Sequence, residues 1–215
     1  MTPFPAALLL LAVAGLQLVV TRPAAFRDEQ WKFPRVRTAA REKDQVLKQL
    51  FAGKRLKYPP GKILLRAFKK EGTLEVWVGN SPGAPYSLIK SYSICATSGI
   101  PGPKRRFGDE QVPEGFYDLD WFNPQSNFYL SLQVSYPNAA DRLLGFRQNP
   151  GGDIFLHGNC VTIGCIPITD EGIRKCTGSQ CWPEHPDGIG DRRERNCPIC
   201  AIFGALGASA SGRLR

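Results

Sequence analysis

The sequence predicts a mainly β domain of the α+β class, a sandwich or a curled sheet that carries a few short helices. Two observations favour this class. Short runs with strand-like apolar patterns recur between residues 62 and 134, and Gly and Pro residues separate them. The 215 residues are enough for one main domain with appendages.

Five segments have the residue pattern of strands. The first two flank a Lys-Glu-Gly-Thr sequence at residues 70–73, which predicts a hairpin turn. In the last segment alternate residues from Phe128 to Val134 are apolar, so one face of that strand should be buried. The predicted strands are 63–68, 74–78, 87–96, 115–119 and 128–134.

The chain begins with an apolar segment. Residues 6–20 are apolar apart from Gly15 and Gln17, which is typical of the hydrophobic part of an export leader and short for a membrane span. Basic residues follow this run and none precedes it, which is the wrong arrangement for export of an uncleaved anchor. We expect an export leader or signal anchor at 1–25, contact with the inner membrane through it if it is retained, and a location in the periplasm or cell envelope.

Residues 26–61 are predicted to form a basic linker with one helix. Ten Lys or Arg and four Asp or Glu at 26–57 give this stretch a net charge of ten minus four, or +6, out of +9 for the chain. Such a segment can bind nucleic acid or an anionic membrane, but a solvated tether is the favoured interpretation, and no nucleic-acid partner is expected. Apolar residues at helical spacing predict the helix over 44–52.

Residues 157–165 carry the strongest chemical signal. A strand-like run at 153–156 leads to His157, one of two histidines in the chain, and Cys165 directly follows Gly164. An imidazole that takes the thiol proton turns a cysteine into a nucleophile. The glycine permits a tight turn in which the backbone N–H groups of Gly164 and Cys165 can face an oxyanion. The alternative is a buried histidine near a structural cysteine.

These motifs resemble the catalytic domain of the bacterial L,D-transpeptidase family, whose signature is His-Gly followed by Ser/Thr-x-Gly-Cys. His157-Gly158 and Thr162-Ile163-Gly164-Cys165 match that signature. Residues 108–117 resemble the family's Pro-x-Gly-x-aromatic turn and strand, and residues 102–105 and 123–129 resemble the branch with a short His-to-Cys spacing. The resemblance covers residues 62–173 and implies a single L,D-transpeptidase-like β-sandwich domain there.

The resemblance also implies a reaction. Cys165 would attack the tetrapeptide stem of peptidoglycan after meso-diaminopimelate or an equivalent centre, with His157 as the general base and a thioester intermediate. Neither a metal nor an organic cofactor is implied. Substrate-binding roles are expected for Gly158, Asn159 and Thr162, and for Arg105, which lies in a basic run at 104–106 that is otherwise a solvated loop.

Several functions remain open at this stage. Attack on the thioester by an amine would make the protein a transpeptidase. Attack by water would make it an L,D-carboxypeptidase or an amidase. Such an enzyme would hydrolyse the same stem-peptide linkages, or the linkages between peptidoglycan and a wall-linked lipoprotein. A catalytically impaired wall-binding protein is a further alternative, because the C-terminal stretch departs from the family pattern.

That stretch, residues 174–215, is rich in Gly, Arg, Cys and Pro where relatives continue with an apolar helix and a final strand. A helix is predicted to start at 168–173 with Thr169 as N-cap, and residues 201–206 form a short apolar run. A frameshift in the coding DNA would explain the change of composition. Three interpretations of the tail cysteines remain open: they have no role, they form disulfides, or their four thiolates bind a zinc ion. These residues are Cys176, Cys181, Cys197 and Cys200.

The other cysteines bear on the redox state of the site. Seven cysteines leave at least one thiol unpaired even if all others form disulfides. Cys160 is predicted to be a packing residue or a disulfide partner. Cys95 lies in an apolar run and is predicted to be a core residue, with pairing to another cysteine left open.

Overall fold

The computed structural model describes residues 26–177 and 199–204. The predicted leader, Cys181, His185 and Cys197 lie outside these residues. The helices are α1 (Phe26–Trp31), α2 (Pro34–Gly53), α3 (Ala139–Leu144) and α4 (Thr169–Cys176). The strands are β1 (Lys62–Phe68), β2 (Thr73–Gly79), β3 (Ser87–Ser93), β4 (Gly115–Asn123), β5 (Ser131–Val134), β6 (Phe155–His157), β7 (Ile166–Pro167) and β8 (Ile199–Gly204).

The strands form two sheets that share β4. Their order is β3-β2-β1-β8-β4-β5-β6-β7. The first half of β4 pairs with β8, and the second half pairs with β5, with an irregularity in that second pairing between Leu119 and Trp121. A bulge of this kind bends a strand, which is how one strand passes from one sheet to the next. The predicted α+β class, with two sheets and a few short helices, is confirmed.

The predicted hairpin is present as β1 and β2, which pair in antiparallel register from Lys62 opposite Gly79 to Phe68 opposite Thr73. Strand β5 begins at Ser131, later than the predicted 128, and only part of the expected apolar face is buried. Leu130, Leu132 and Val134 are at most 2% exposed, whereas Phe128 is 38% exposed and lies outside the strand. Phe128 instead contacts a residue of the site described below.

Helix α2 is longer than predicted, because it begins at Pro34 rather than at residue 44. A proline at the first helical position loses no hydrogen bond, since that N–H has no partner within the helix. The helix packs on the domain core through Val36, Ala39, Leu47 and Phe51. Small alanines on the buried face and basic residues elsewhere made the first half of this helix resemble a linker. Among the described residues, none of the helices is long and apolar enough to cross a membrane.

The C-terminal stretch contributes two elements to the domain. Helix α4 continues to Cys176, with Ile173 fully buried, and its first turn is closed by a hydrogen bond of 3.1 Å from the Gly172 N–H to the Thr169 hydroxyl. The helix begins at Thr169, and its N-cap is Ile168, which makes no side-chain cap bond, so the predicted N-cap at Thr169 is one residue too late. Strand β8 lies between β1 and β4, parallel to β1 and antiparallel to β4, so this part of the tail completes the sheet.

Candidate active site

His157 ends strand β6 in the interior of the domain. It is 1% exposed, and the Phe128 ring lies against it with ring centroids 4.6 Å apart. Its Nδ1 is hydrogen-bonded to the carbonyl oxygen of Gly158. Because a carbonyl only accepts hydrogen bonds, Nδ1 carries the proton in the neutral ring and Nε2 is left unprotonated. The tautomer is therefore the one in which Nε2 can act as a base.

The residues after His157 are held against the start of α4. The Asn159 N–H donates a hydrogen bond of 2.8 Å to Oδ1 of Asp170, and Asn159 itself has a left-handed backbone with φ of 60°. A Cβ atom on Gly158 would lie 2.8 Å from the Phe128 carbonyl oxygen and would also collide with the Asp170 carboxylate. Gly158 is thus required by close packing, and Asp170 fixes the chain that leaves the histidine. No motif in the sequence indicates this role for Asp170.

Thr162 shapes the turn that leads to the cysteine. Its hydroxyl donates to the Cys165 carbonyl oxygen at 2.8 Å and accepts from the Gly164 N–H at 3.1 Å. Gly164 has φ of +133°, and a Cβ there would lie 3.1 Å from the Gln111 carbonyl oxygen. The glycine is therefore needed both for its backbone conformation and for its close approach to Gln111.

Cys165 directly precedes β7 and is not in a disulfide. Strand β7 pairs in parallel with β6, with Leu156 opposite Ile166 and His157 opposite Pro167. Continuing this register by one residue places Cys165 opposite Phe155, two residues before His157. The Cys165 sulfur contacts the Asp153 carbonyl oxygen at 3.6 Å, and the side chain lines a cleft of about 190 Å³.

Burial shifts both titratable groups towards their neutral forms. It lowers the pKa of His157 below 6.5, with a smaller opposing effect of the hydrogen bond to Gly158. It raises the pKa of Cys165 above 9.0, opposed by a hydrogen bond with the Phe155 backbone and by the charge of Lys104. The resting site therefore contains a neutral imidazole and a protonated thiol.

The two residues of the predicted dyad are brought to neighbouring strands but are not bonded to each other. No hydrogen bond joins the His157 ring to the Cys165 sulfur, both of which the structure describes. Catalytic hydrogen bonds are often long before substrate binds, so this geometry leaves their predicted roles open. Those roles, and the substrate-binding roles of Gly158, Asn159 and Thr162, stay predictions.

Arg105 is not among the described residues that line the cleft with Cys165. Its N–H donates to Asp109 at 2.8 Å, and its carbonyl oxygen accepts from the Phe146 N–H at 2.7 Å. The neighbouring Lys104 is only 4% exposed and forms an ion pair with Asp109. The basic run is therefore partly internal rather than a solvated loop, and the predicted substrate contact of Arg105 stays untested.

A disulfide lies beside the site. Cys95 and Cys160 are bonded, with Cα atoms 5.4 Å apart, and the Cys95 N–H donates to the Pro167 carbonyl oxygen at 3.0 Å. The bond thus ties the loop between His157 and Cys165 to the segment after β3. Cys95 is half-buried rather than a core residue, and the disulfide alternative for Cys160 is the one observed. Within 26–177 and 199–204, no cluster of three or more His, Cys, Asp or Glu could hold a metal.

The two-sheet fold, the His-Gly strand end and the Thr-x-Gly-Cys turn resemble those of L,D-transpeptidase domains. Two curated proteins, each named Putative L,D-transpeptidase YafK, come from Escherichia coli strains K12 and O157:H7. Both are 41% identical to this chain over 113 residues, which is 52% of this chain and 44% of theirs. The resemblance to L,D-transpeptidases that the motifs indicated is confirmed, although the chain spans less than half the length of these relatives.

A solved structure shows the same fold. The helical cell shape determining protein Pgp2 from Campylobacter jejuni superposes with a TM-score of 0.50 at 19% identity, over 68% of this chain and 49% of Pgp2. At this level of identity the match concerns the fold. No protein-family model matches the chain.

Proposed function

We propose that this chain is an exported cysteine acyltransferase of the L,D-transpeptidase type that acts on the tetrapeptide stem of peptidoglycan. Cys165 is the nucleophile and His157 the general base. The observation that supports this most is the parallel pairing of β6 with β7, which brings an unpaired thiol next to the strand that ends in a neutral histidine. The thiol also lines a cleft that substrate can enter.

The first step is proton transfer coupled to attack. Because the imidazole is neutral and Nδ1 holds its proton, Nε2 can accept the thiol proton as the sulfur attacks the carbonyl carbon of the stem peptide. Burial favours neutral partners, so the thiolate forms as the reaction proceeds rather than persisting as a resting ion pair. The imidazolium then returns its proton to the amine that leaves, and a thioester remains on Cys165.

The oxyanion formed during attack needs a hydrogen-bond donor. The Gly164 N–H already donates to the Thr162 hydroxyl, so we assign the Cys165 N–H as the main donor and a shaping role to Gly164. Thr162 holds the turn by bonding to both Gly164 and Cys165, which makes it a positioning residue in this scheme. An acceptor amine from a second stem then attacks the thioester, forms the new amide and releases the thiol.

Export is supported by the Cys95–Cys160 disulfide, since such bonds persist in oxidising compartments such as the periplasm. The disulfide leaves Cys165 as a reduced thiol nearby.

The test is turnover of purified tetrapeptide muropeptides, with intact mass of the protein measured during the reaction. The parent should form cross-linked products and a covalent adduct on Cys165, and Cys165→Ala should form neither. Cys176→Ala, which removes a thiol on α4, is the matched control and should behave as the parent. Turnover by Cys165→Ala at the parent's rate would overturn the proposal, and shortened stems without cross-links would overturn the transferase assignment.

A further inference from the structure

We infer that the cleft beside Cys165 binds a carboxylate of the substrate and that Lys70 is the residue that recognises it. The inference rests on the proposed function in taking Cys165 as the reacting group. Besides Cys165, the described residues that line the cleft include Lys69 and Lys70 but neither Asp nor Glu. A cleft with cations on its wall and without acidic side chains is electrostatically suited to an anionic group.

Lys69 is committed to the fold of the cleft wall. Its Nζ donates to the carbonyl oxygens of Gly102 at 2.6 Å and Val112 at 2.9 Å, and it forms an ion pair of 3.1 Å with Glu114. Its side chain is 11% exposed. These contacts tie residues 100–114 to the end of β1, so the charge of Lys69 is already compensated within the protein.

Lys70 follows directly in the turn between β1 and β2 and is exposed. Among the described residues it has neither a hydrogen bond nor an ion pair through its ammonium group. The other cation once expected to bind a carboxylate, Arg105, does not line this cleft. Lys70 is therefore the cleft cation whose charge is available to a ligand.

The ligand chemistry follows from the proposed substrate. A stem that ends after diaminopimelate and one further residue carries two carboxylates near the scissile amide, one on the diaminopimelate side chain and one at the terminus. A lysine ammonium recognises either as a point charge, without the bidentate geometry of arginine. Binding of such a carboxylate by Lys70 would position the stem peptide with its scissile amide at Cys165.

The experiment measures KM and kcat for a tetrapeptide muropeptide with three lysine variants. Lys70→Gln should raise KM about 2–5-fold, the effect of losing an exposed ion pair, and should change kcat much less. Lys70→Arg should restore most of the affinity. Lys54→Gln, which removes an exposed lysine at the end of α2, is the control for loss of charge and should keep the parent's KM.

Two amidated substrates identify the source of the carboxylate. If Lys70 binds the diaminopimelate side chain, amidation there should abolish the difference between Lys70→Gln and the parent; if it binds the terminus, amidation of the terminus should do so. A KM for Lys70→Gln equal to that of Lys54→Gln would overturn the inference, as would a difference that survives both amidations. If Cys165→Ala is inactive while Lys70→Gln is normal, only this inference fails; if Cys165→Ala is active, the proposed function fails.

Discussion

Lys104 with Asp109 and His157 with Cys165 are two sets of ionisable groups in the interior of one domain, and they are held in opposite charge states. Lys104 and Asp109 have side chains that are 5% and 11% exposed, and their ammonium and carboxylate groups are 2.5 Å apart. His157 is as deeply buried, and Cys165 is half-buried. Near neutral pH the ordinary pKa values already favour charged Lys and Asp and neutral His and Cys, and the hydrogen-bond partners that surround each set reinforce this difference.

Asp109 has those partners in place. Burial acts to raise the pKa of its carboxyl group, but the hydrogen bond from Lys104 and those from three backbone N–H groups outweigh burial and bring the pKa to about 2. The backbone donors belong to Arg105, Arg106 and Gln111. A carboxylate that accepts several N–H bonds stays ionised even where water is excluded.

His157 and Cys165 lack comparable partners for their charged forms. The imidazole has a bond to one carbonyl oxygen. The thiol contacts another and has one backbone hydrogen bond, with Phe155, so in neither case is the effect of burial on the pKa offset. The hydrogen bonds thus support the charged form of Asp109, whereas the charged forms of His157 and Cys165, where we place the chemistry, have fewer supporting contacts. A substrate that supplies an oxyanion partner would then meet a base and a nucleophile that are still uncharged.

The largest effect expected in this comparison is loss of the base. His157→Gln keeps an amide donor for the Gly158 carbonyl oxygen but removes Nε2 as a proton acceptor. It should lower kcat/KM about 10²–10⁴-fold, the usual contribution of general-base catalysis. The measurement is steady-state turnover of tetrapeptide muropeptides, with thermal unfolding as the check that the variant folds. A variant that folds and turns over at the parent's rate would show that His157 is a packing residue.

Substitutions in the Lys104–Asp109 pair should change the free energy of unfolding rather than the catalytic rate. Asp109→Ala leaves the Lys104 ammonium buried, with the Arg106 carbonyl oxygen as its remaining hydrogen-bond partner among the described residues, and should lower the free energy of unfolding by about 3–5 kcal/mol. Lys104→Met should cost less, because the three backbone donors still stabilise the carboxylate. Glu29→Ala, in an exposed ion pair with Lys32, should cost less than about 1 kcal/mol.

Urea unfolding of the three variants measures these differences. Equal losses for Asp109→Ala and Glu29→Ala would mean that the internal pair is not stabilised in the way its contacts indicate. A larger loss for Lys104→Met than for Asp109→Ala would contradict the expectation that the backbone N–H groups still stabilise the carboxylate when Lys104 is removed.

The two sets also differ in how far the sequence predicts them. His157 and Cys165 lie eight residues apart in the chain, and the strand-like run before His157 and the glycine before Cys165 are local patterns that indicated a histidine beside a cysteine. Lys104 lies in a Lys-Arg-Arg run, which favours a solvated loop, and only the backbone donors of the 105–111 loop reveal an internal ion pair. No short sequence pattern therefore indicates that Lys104 is buried against Asp109.

Other features that the sequence did not predict also depend on contacts between residues that are distant in the chain or on weak local patterns. The Cys95–Cys160 disulfide joins residues 65 apart, and spacing alone cannot define which cysteines pair. Phe128 continues an alternating apolar pattern, so a strand was predicted through it, yet it leaves the strand and packs on His157. The first half of α2 was missed because Val36 and Ala39 give a weak apolar signal among many basic residues.

The smallest effect expected is on how the free energy of unfolding depends on pH, to which His157 and Asp109 contribute in different pH ranges. A histidine whose pKa is lowered on folding takes up a proton more readily when unfolded, so His157 should reduce stability as pH falls below 6.5, by at most about 1.4 kcal/mol per pH unit. Asp109 contributes stability above pH 3.8 that is lost as pH falls from 3.8 to about 2.

The two variants should therefore change different parts of the curve of stability against pH. His157→Gln should flatten the part below pH 6.5 and leave the part below pH 3.8 unchanged, and Asp109→Ala should do the reverse. Denaturant midpoints measured from pH 8 to pH 2 give both curves, and because each variant is compared with the parent, any contribution of His185 cancels. If His157→Gln leaves the slope below pH 6.5 as in the parent, the imidazole is not held neutral by burial, and the proton acceptor assigned to the reaction would have to be sought elsewhere in the cleft.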